Sequence, residues 1–139
     1  MLNRLKKYLN KYGDFQFTEN GFIYQLGNSD LIVTWDSVET IYSRISGVAV
    51  NGGLQVFKKT GEVINIQTDH PKWSEFSTQC KLSLKNFDCE FDTTLSNYKA
   101  LFKNRSYLQL VYDYQNRSIS QLGGIHFPPD ELRSFNVRY

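Results

Sequence analysis

The amino-acid sequence predicts an α+β domain, mainly β, in which an antiparallel meander is capped by one amphipathic helix. Three observations predict it. Aromatic residues make up 15% of the chain, led by 10 Phe and 9 Tyr, and flat rings pack well on a pleated, half-buried surface. Short runs of alternating apolar and polar residues, separated by Gly- and Asn-bearing turns, extend from Phe15 to Gln67. At Pro71 the apolar period changes from two to the three-and-four spacing of a helix.

At the start, Leu2, Leu5, Leu9 and Tyr12 share one helical face, and Gly13 supplies a stop, so residues 1–12 are expected to form a basic amphipathic helix packed on the domain. Phe15–Thr18 and Phe22–Leu26 flank Asn20-Gly21, the strongest short hairpin signal. Gly27–Asp30 makes the next turn, and Leu31–Trp35 the third strand. A fourth strand is expected from Ser37, with Val38, Thr40 and Tyr42 on one face against Glu39, Ile41 and Ser43; a helical turn is the competing reading. Asn51-Gly52-Gly53 closes a hairpin between Val48–Val50 and Leu54–Phe57, and Glu62–Gln67 follows with an apolar face.

Asp69 or His70 can cap the helix, Pro71 suits its first turn, and Trp73, Phe76, Cys80, Leu84 and Phe87 form its stripe over about fifteen residues. Beyond it, residues 88–139 read as an extension. Phe91, Leu95, Tyr98 and Phe102 suggest a second helix from Asp92; Tyr107–Tyr114 fits a strand or a continuation of that helix, and its β-branched and aromatic content favours the strand. From Gly123 to Tyr139 the Gly and Pro content predicts coil with one short turn.

A chain of 139 residues fits a single domain over 1–139, large enough to hold itself together without a metal or disulfide. Net charge is +2, yet Arg4, Lys6, Lys7 and Lys11 place four positive charges in the first twelve residues and leave the rest at −2. No basic stripe of the kind that displaces counterions follows, which argues against nucleic acid. There is no signal-like apolar block and no run of about 20 apolar residues, so a cytosolic location is expected. Cys80 and Cys89 have no second pair with which to frame a zinc site.

The order of six strands and a helix resembles the pleckstrin-homology-like barrel or roll. The likeness rests on Gly21–Asn28, on Trp35-Asp36-Ser37-Val38-Glu39-Thr40-Ile41 and on Pro71-Lys72-Trp73-Ser74-Glu75-Phe76, and is similar to a small bacterial branch of that superfamily over residues 14–87. The resemblance implies a core plugged by its helix, with Trp35 a core or rim aromatic and Asp36-Ser37 a bend between strands. For the small bacterial relatives it implies an immunity-type inhibitor that occludes a toxin made by the same cell.

The chain carries no His or Cys spacing for a metal and no cofactor motif; Ser37 lacks a nucleophile elbow. Gly123-Gly124 is followed by Pro rather than by a helix able to bind phosphate. The expected role is therefore a non-catalytic module whose partner is another protein. Tyr107, Tyr112, Tyr114 and Tyr139, among Arg105, Arg117, Arg133 and Arg138, are the residue types that anchor interfaces. Two alternatives come from other classes: a membrane-surface adaptor using residues 1–12 with Lys58 and Lys59, and an enzyme with a dispersed site around His70 or His126.

Overall fold

The computed structural model describes residues 13–45, 53–67, 70–88, 90–91, 107–134 and 136–138. The expected helix over 1–12, the run Val48–Val50, Asp69, Cys89, the second helix from Asp92, Arg105 and Tyr139 lie outside the described residues.

The chain begins with the hairpin of β1 (Asp14–Thr18) and β2 (Gly21–Leu26), to which β3 (Ser29–Thr34) adds an antiparallel neighbour. Strand pairing aligns Phe17, Phe22 and Val33 in one cross-strand row and Phe15, Tyr24 and Leu31 in another, and both rows face the core. The hairpin forms as expected, for a different reason. Its loop is Glu19–Asn20 with neither φ positive, and Gly21 instead opens β2, where an added Cβ would lie 1.9 Å from the Val33 carbonyl oxygen. Glycine is required there for close strand approach.

A 3₁₀ turn at Trp35–Ser37 makes the corner into the second sheet. Ser37 Oγ donates to Thr34 O at 2.7 Å, the Trp35 amide donates to Asn20 O at 2.8 Å, and Asp36 is exposed. The corner is a bend, held by Ser37 and by the Trp35 ring against Phe22.

The second sheet contains β4 (Val38–Ile45), β5 (Gly53–Lys58), β6 (Val63–Gln67), β7 (Tyr107–Asp113) and β8 (Asn136–Arg138), in the order β6-β5-β4-β7-β8. All pairs are antiparallel except β7 with β8, which run parallel. Helix α1 (Trp73–Ser83) stops one turn earlier than its stripe predicts, yet Phe76, Cys80, Leu84 and Phe87 are all buried in the main core with Phe15, Phe22, Val56 and Ile66. Trp73 is only partly buried.

Among the described residues the two sheets share no paired strand, so backbone hydrogen bonds do not close a barrel. Side chains bridge both seams. At one, Lys72 Nζ donates to Phe15 O (3.1 Å) and pairs with Asp14 (2.6 Å), while His70 Nε2 meets Gly13 O (2.9 Å). At the other, Lys58 Nζ donates to Ile32 O (3.2 Å) and the Lys59 amide to Ser37 O (2.8 Å). Both outer strands of the small sheet thus carry a lysine on an outward carbonyl, which blunts them against edge-to-edge pairing.

A second apolar cluster lies on the other face of the large sheet: Tyr42, Phe57 and Leu108 under Ile119, Leu122 and Phe127. The coil expected after Gly123 is a correction. That stretch forms α3 (Pro129–Ser134), which with the preceding α2 (Ile119–Leu122) belongs to the cover, and then β8, which joins the edge of the sheet. Ser118 and Gln121 form a reciprocal capping box on α2, Gly123 ends it at φ 50°, and Pro129 with Asp130 and Glu131 in the first turn starts α3.

Candidate functional site

Two irregularities in the large sheet gather its polar residues. In β4 the pairing with β5 skips Glu39, so Val38 faces the main core while Thr40, only two residues on, faces the opposite way. In β7 the pairing with β4 skips Val111. Val111 and Tyr112 therefore both pack against the main core, and Asp113 turns to the outer face, where Thr40 Oγ1 donates to its Oδ1 at 2.7 Å. Bulges of this kind re-aim side chains.

Asp113 accepts more than the Thr40 bond. Arg117 grips it as a fork, Nε to Oδ2 and Nη2 to Oδ1, each at 3.0 Å, and the amides of Gln115 and Arg117 reach Oδ2 at 3.2 and 3.0 Å. Burial acts to raise the carboxyl's pKa, but the bonds from Arg117 and Thr40 outweigh it and hold the group below its ordinary value. The Asp113 bond in turn raises Arg117 above its already high value.

Arg117 Nη2 also donates to Glu39 Oε1 at 3.2 Å. The same oxygen lies 3.5 Å from His126 Nε2, a buried nitrogen outside hydrogen-bond geometry, and His126 Nδ1 lies 2.9 Å from the Tyr42 hydroxyl. The Glu39 charge favours the ring proton on Nε2, which leaves Nδ1 to accept from Tyr42. Tyr42 is 2% exposed; burial first, then the Asp113 and Glu39 charges, push its hydroxyl pKa up. A hydroxyl, an imidazole and a carboxylate do converge here; Phe57 and Phe127 pack on Tyr42, Phe57 also packs on His126, and Glu39 keeps 20% of its side chain exposed at the margin. Their capacity is to lock the extension onto the sheet.

On the solvent side of Asp113 and Arg117 lies an open notch of about 230 Å³, lined among others by Asn86, Asp88, Tyr112 and Asn116. Asn86 (φ 65°) and Asn116 (φ 54°) are bonded to each other, Nδ2 to Oδ1 at 3.1 Å. The Asp88 amide donates to Val111 O, and its carboxylate accepts only neutral donors among the described residues, Gln109 Nε2 and the Glu90 amide, both at 2.9 Å. Tyr114 projects beside the notch, 41% exposed, with the Arg117 guanidinium 5.3 Å and the Lys59 ammonium 4.6 Å from its ring centre.

Of the residues expected to anchor an interface, Tyr112, Tyr114 and Arg117 come together here. Tyr107 does not: it is 1% exposed, paired with β8, and its hydroxyl donates to Gln109 Oε1 (3.0 Å). An anchoring role needs exposure, and a strand at this edge of the sheet gives Tyr107 a neighbour that the sequence pattern does not announce. Arg133 is exposed and pairs with Asp130, away from the group. Lys58 is occupied by Glu62 and Ile32 O. His70 is buried; its Nδ1 accepts from the Lys72 amide (2.9 Å), so it serves the start of α1. Cys80 is fully buried, and burial raises its thiol pKa. Glu39, Asp88, Asn86, Asn116 and Asp113 were not foreseen.

No protein-family model, curated protein or solved structure matches this chain. Its chemistry must be argued from its own residues. Among the described residues no three His, Cys, Asp or Glu side chains are grouped to hold a metal ion, and no helix is long and apolar enough to cross a membrane.

Proposed function

We propose that the chain is a non-catalytic protein-binding module with a pleckstrin-homology-like roll, and that its partner docks on the surface around Tyr112, Tyr114 and Arg117. One observation carries the reading. The Tyr42 hydroxyl, the His126 ring and Asp113 are turned inward and bonded within the fold, while an exposed tyrosine and a fixed guanidinium flank an open notch. Tyr and Arg are the residues that most often dominate binding energy, and Arg117 is already held by Asp113, so little order is lost when a partner arrives. A 230 Å³ recess is smaller than the roughly 300–1,000 Å³ of small-molecule sites, which favours a partner's side chain over a cofactor. The two-sheet core with α1 across it supports the roll. On the family resemblance, the specific role is immunity-type inhibition of a bacterial toxin in the cytoplasm.

The test is to mix the purified protein with the products of adjacent reading frames and follow association by calorimetry. A stoichiometric complex is expected, and Tyr114→Ala should weaken it at least tenfold, about 1.4 kcal/mol. No complex with any of them, a complex indifferent to Tyr114→Ala, or salt-sensitive binding to anionic vesicles instead would overturn the reading.

A further inference from the structure

We infer that the notch beside β7 is built to receive an arginine side chain of the protein partner. The inference rests on the docking surface proposed above and adds the chemistry of what enters it. Charge is the first argument. Among the described residues, Asp88, Asp113 and Glu39 are three carboxylates at the notch or bonded to the Arg117 that lines it, against the one guanidinium of Arg117, and Lys59 over Tyr114 adds one positive charge at the side. Among the described residues the local balance is negative, and the unbalanced carboxylate is Asp88, whose bonds there come from an amide side chain and a backbone N–H rather than from a cation.

Acceptor geometry is the second. Asn86 spends its Nδ2 on Asn116, which leaves the Asn86 side-chain carbonyl as an acceptor on the same wall as Asp88. A carboxylate and an amide carbonyl lining one recess match the forked donors of a guanidinium better than the single point of an ammonium. Tyr112 also lines the recess, partly buried against the main core, and a tyrosine ring is a surface on which a planar cation can pack. Size agrees, since the recess suits one long side chain. An anionic or apolar side chain would strand the Asp88 charge without a counter-ion.

The probe is arginine amide, with citrulline amide as its neutral isostere, titrated into the full chain while backbone amide resonances are followed by NMR. Arginine amide should shift Asn86, Asp88, Tyr112 and Asn116 with millimolar saturation, weaken on raising the salt, and outbind lysine amide; citrulline amide should leave them in place. Asp88→Asn should reduce the affinity about tenfold or more. Asn86→Gly, which keeps the positive φ without strain, should reduce it several-fold and guards against a folding defect in the first variant. Equal shifts with citrulline, shifts elsewhere, no shifts, or affinity unchanged in both variants would overturn the inference. If the titration fails while Tyr114→Ala still weakens the partner complex, the arginine is wrong and protein binding stands. If arginine amide binds and no partner complex exists, the docking reading fails and the notch chemistry stands.

Discussion

Replacing Asp113 by Asn is the sharpest perturbation of the lock that underlies this surface. The carboxylate receives a two-toothed grip from Arg117, the Thr40 hydroxyl and two backbone amides. Bonds to a charged group contribute ~1.5–3 kcal/mol each, and they do not add. Arg117 keeps 22% of its side chain in water and asparagine retains one acceptor, so the expected loss is ~2–4 kcal/mol. For a chain of this length that is roughly 6–15 °C in Tm. The pH dependence has a definite sign. The folded-state pKa of Asp113 is depressed, so its stabilisation is fully present above the unfolded carboxyl value of ~3.9 and disappears as pH falls through the lower folded value. Urea unfolding followed by circular dichroism should give a constant gap between wild type and Asp113→Asn from about pH 5 to 8 that narrows below about pH 4. A gap under ~0.5 kcal/mol at neutral pH, or one that does not narrow in acid, would mean that the charged grip on Asp113 does not stabilise the fold.

Tyr42→Phe should cost ~1–2 kcal/mol in chemical denaturation, because it leaves the buried His126 Nδ1 without its donor. Phe76→Ala, at a fully buried position facing Phe15 and Phe22, should cost ~3–5 kcal/mol, whereas Trp73→Ala, at a partly buried position, should cost less. Gly21→Ala should prevent a native spectrum at 37 °C, since its Cβ has no room against the Val33 carbonyl; a well-folded variant would mean that β3 can retreat.

Periodic features of this chain are legible in its letters, and register irregularities are not. The alternation of Phe15, Phe17, Phe22 and Tyr24 and the spacing of Phe76, Cys80, Leu84 and Phe87 report burial directly, because each side chain's face follows from its position in the period. Strict alternation puts Val38 and Thr40 on one face, yet the bulge at Glu39 separates them. The adjacent apolar pair Val111-Tyr112 before Asp113 was the available hint of the second bulge, and the site depends on both. Gly123, Pro128 and Pro129 read as breakers and mask the extension's helices; the Ser118/Gln121 box and the acidic turn after Pro129 are start signals on either side of them. β8, three residues paired parallel to β7, carries no local signature.

Photocrosslinking in the native cell reads out whether another protein docks on the face beside Tyr114. Replacing Tyr114 by p-benzoylphenylalanine should give one protein adduct of defined mass, and the same replacement at Leu82, 77% exposed on α1, should give none. Equal adducts from both positions, or none from Tyr114, would contradict the account.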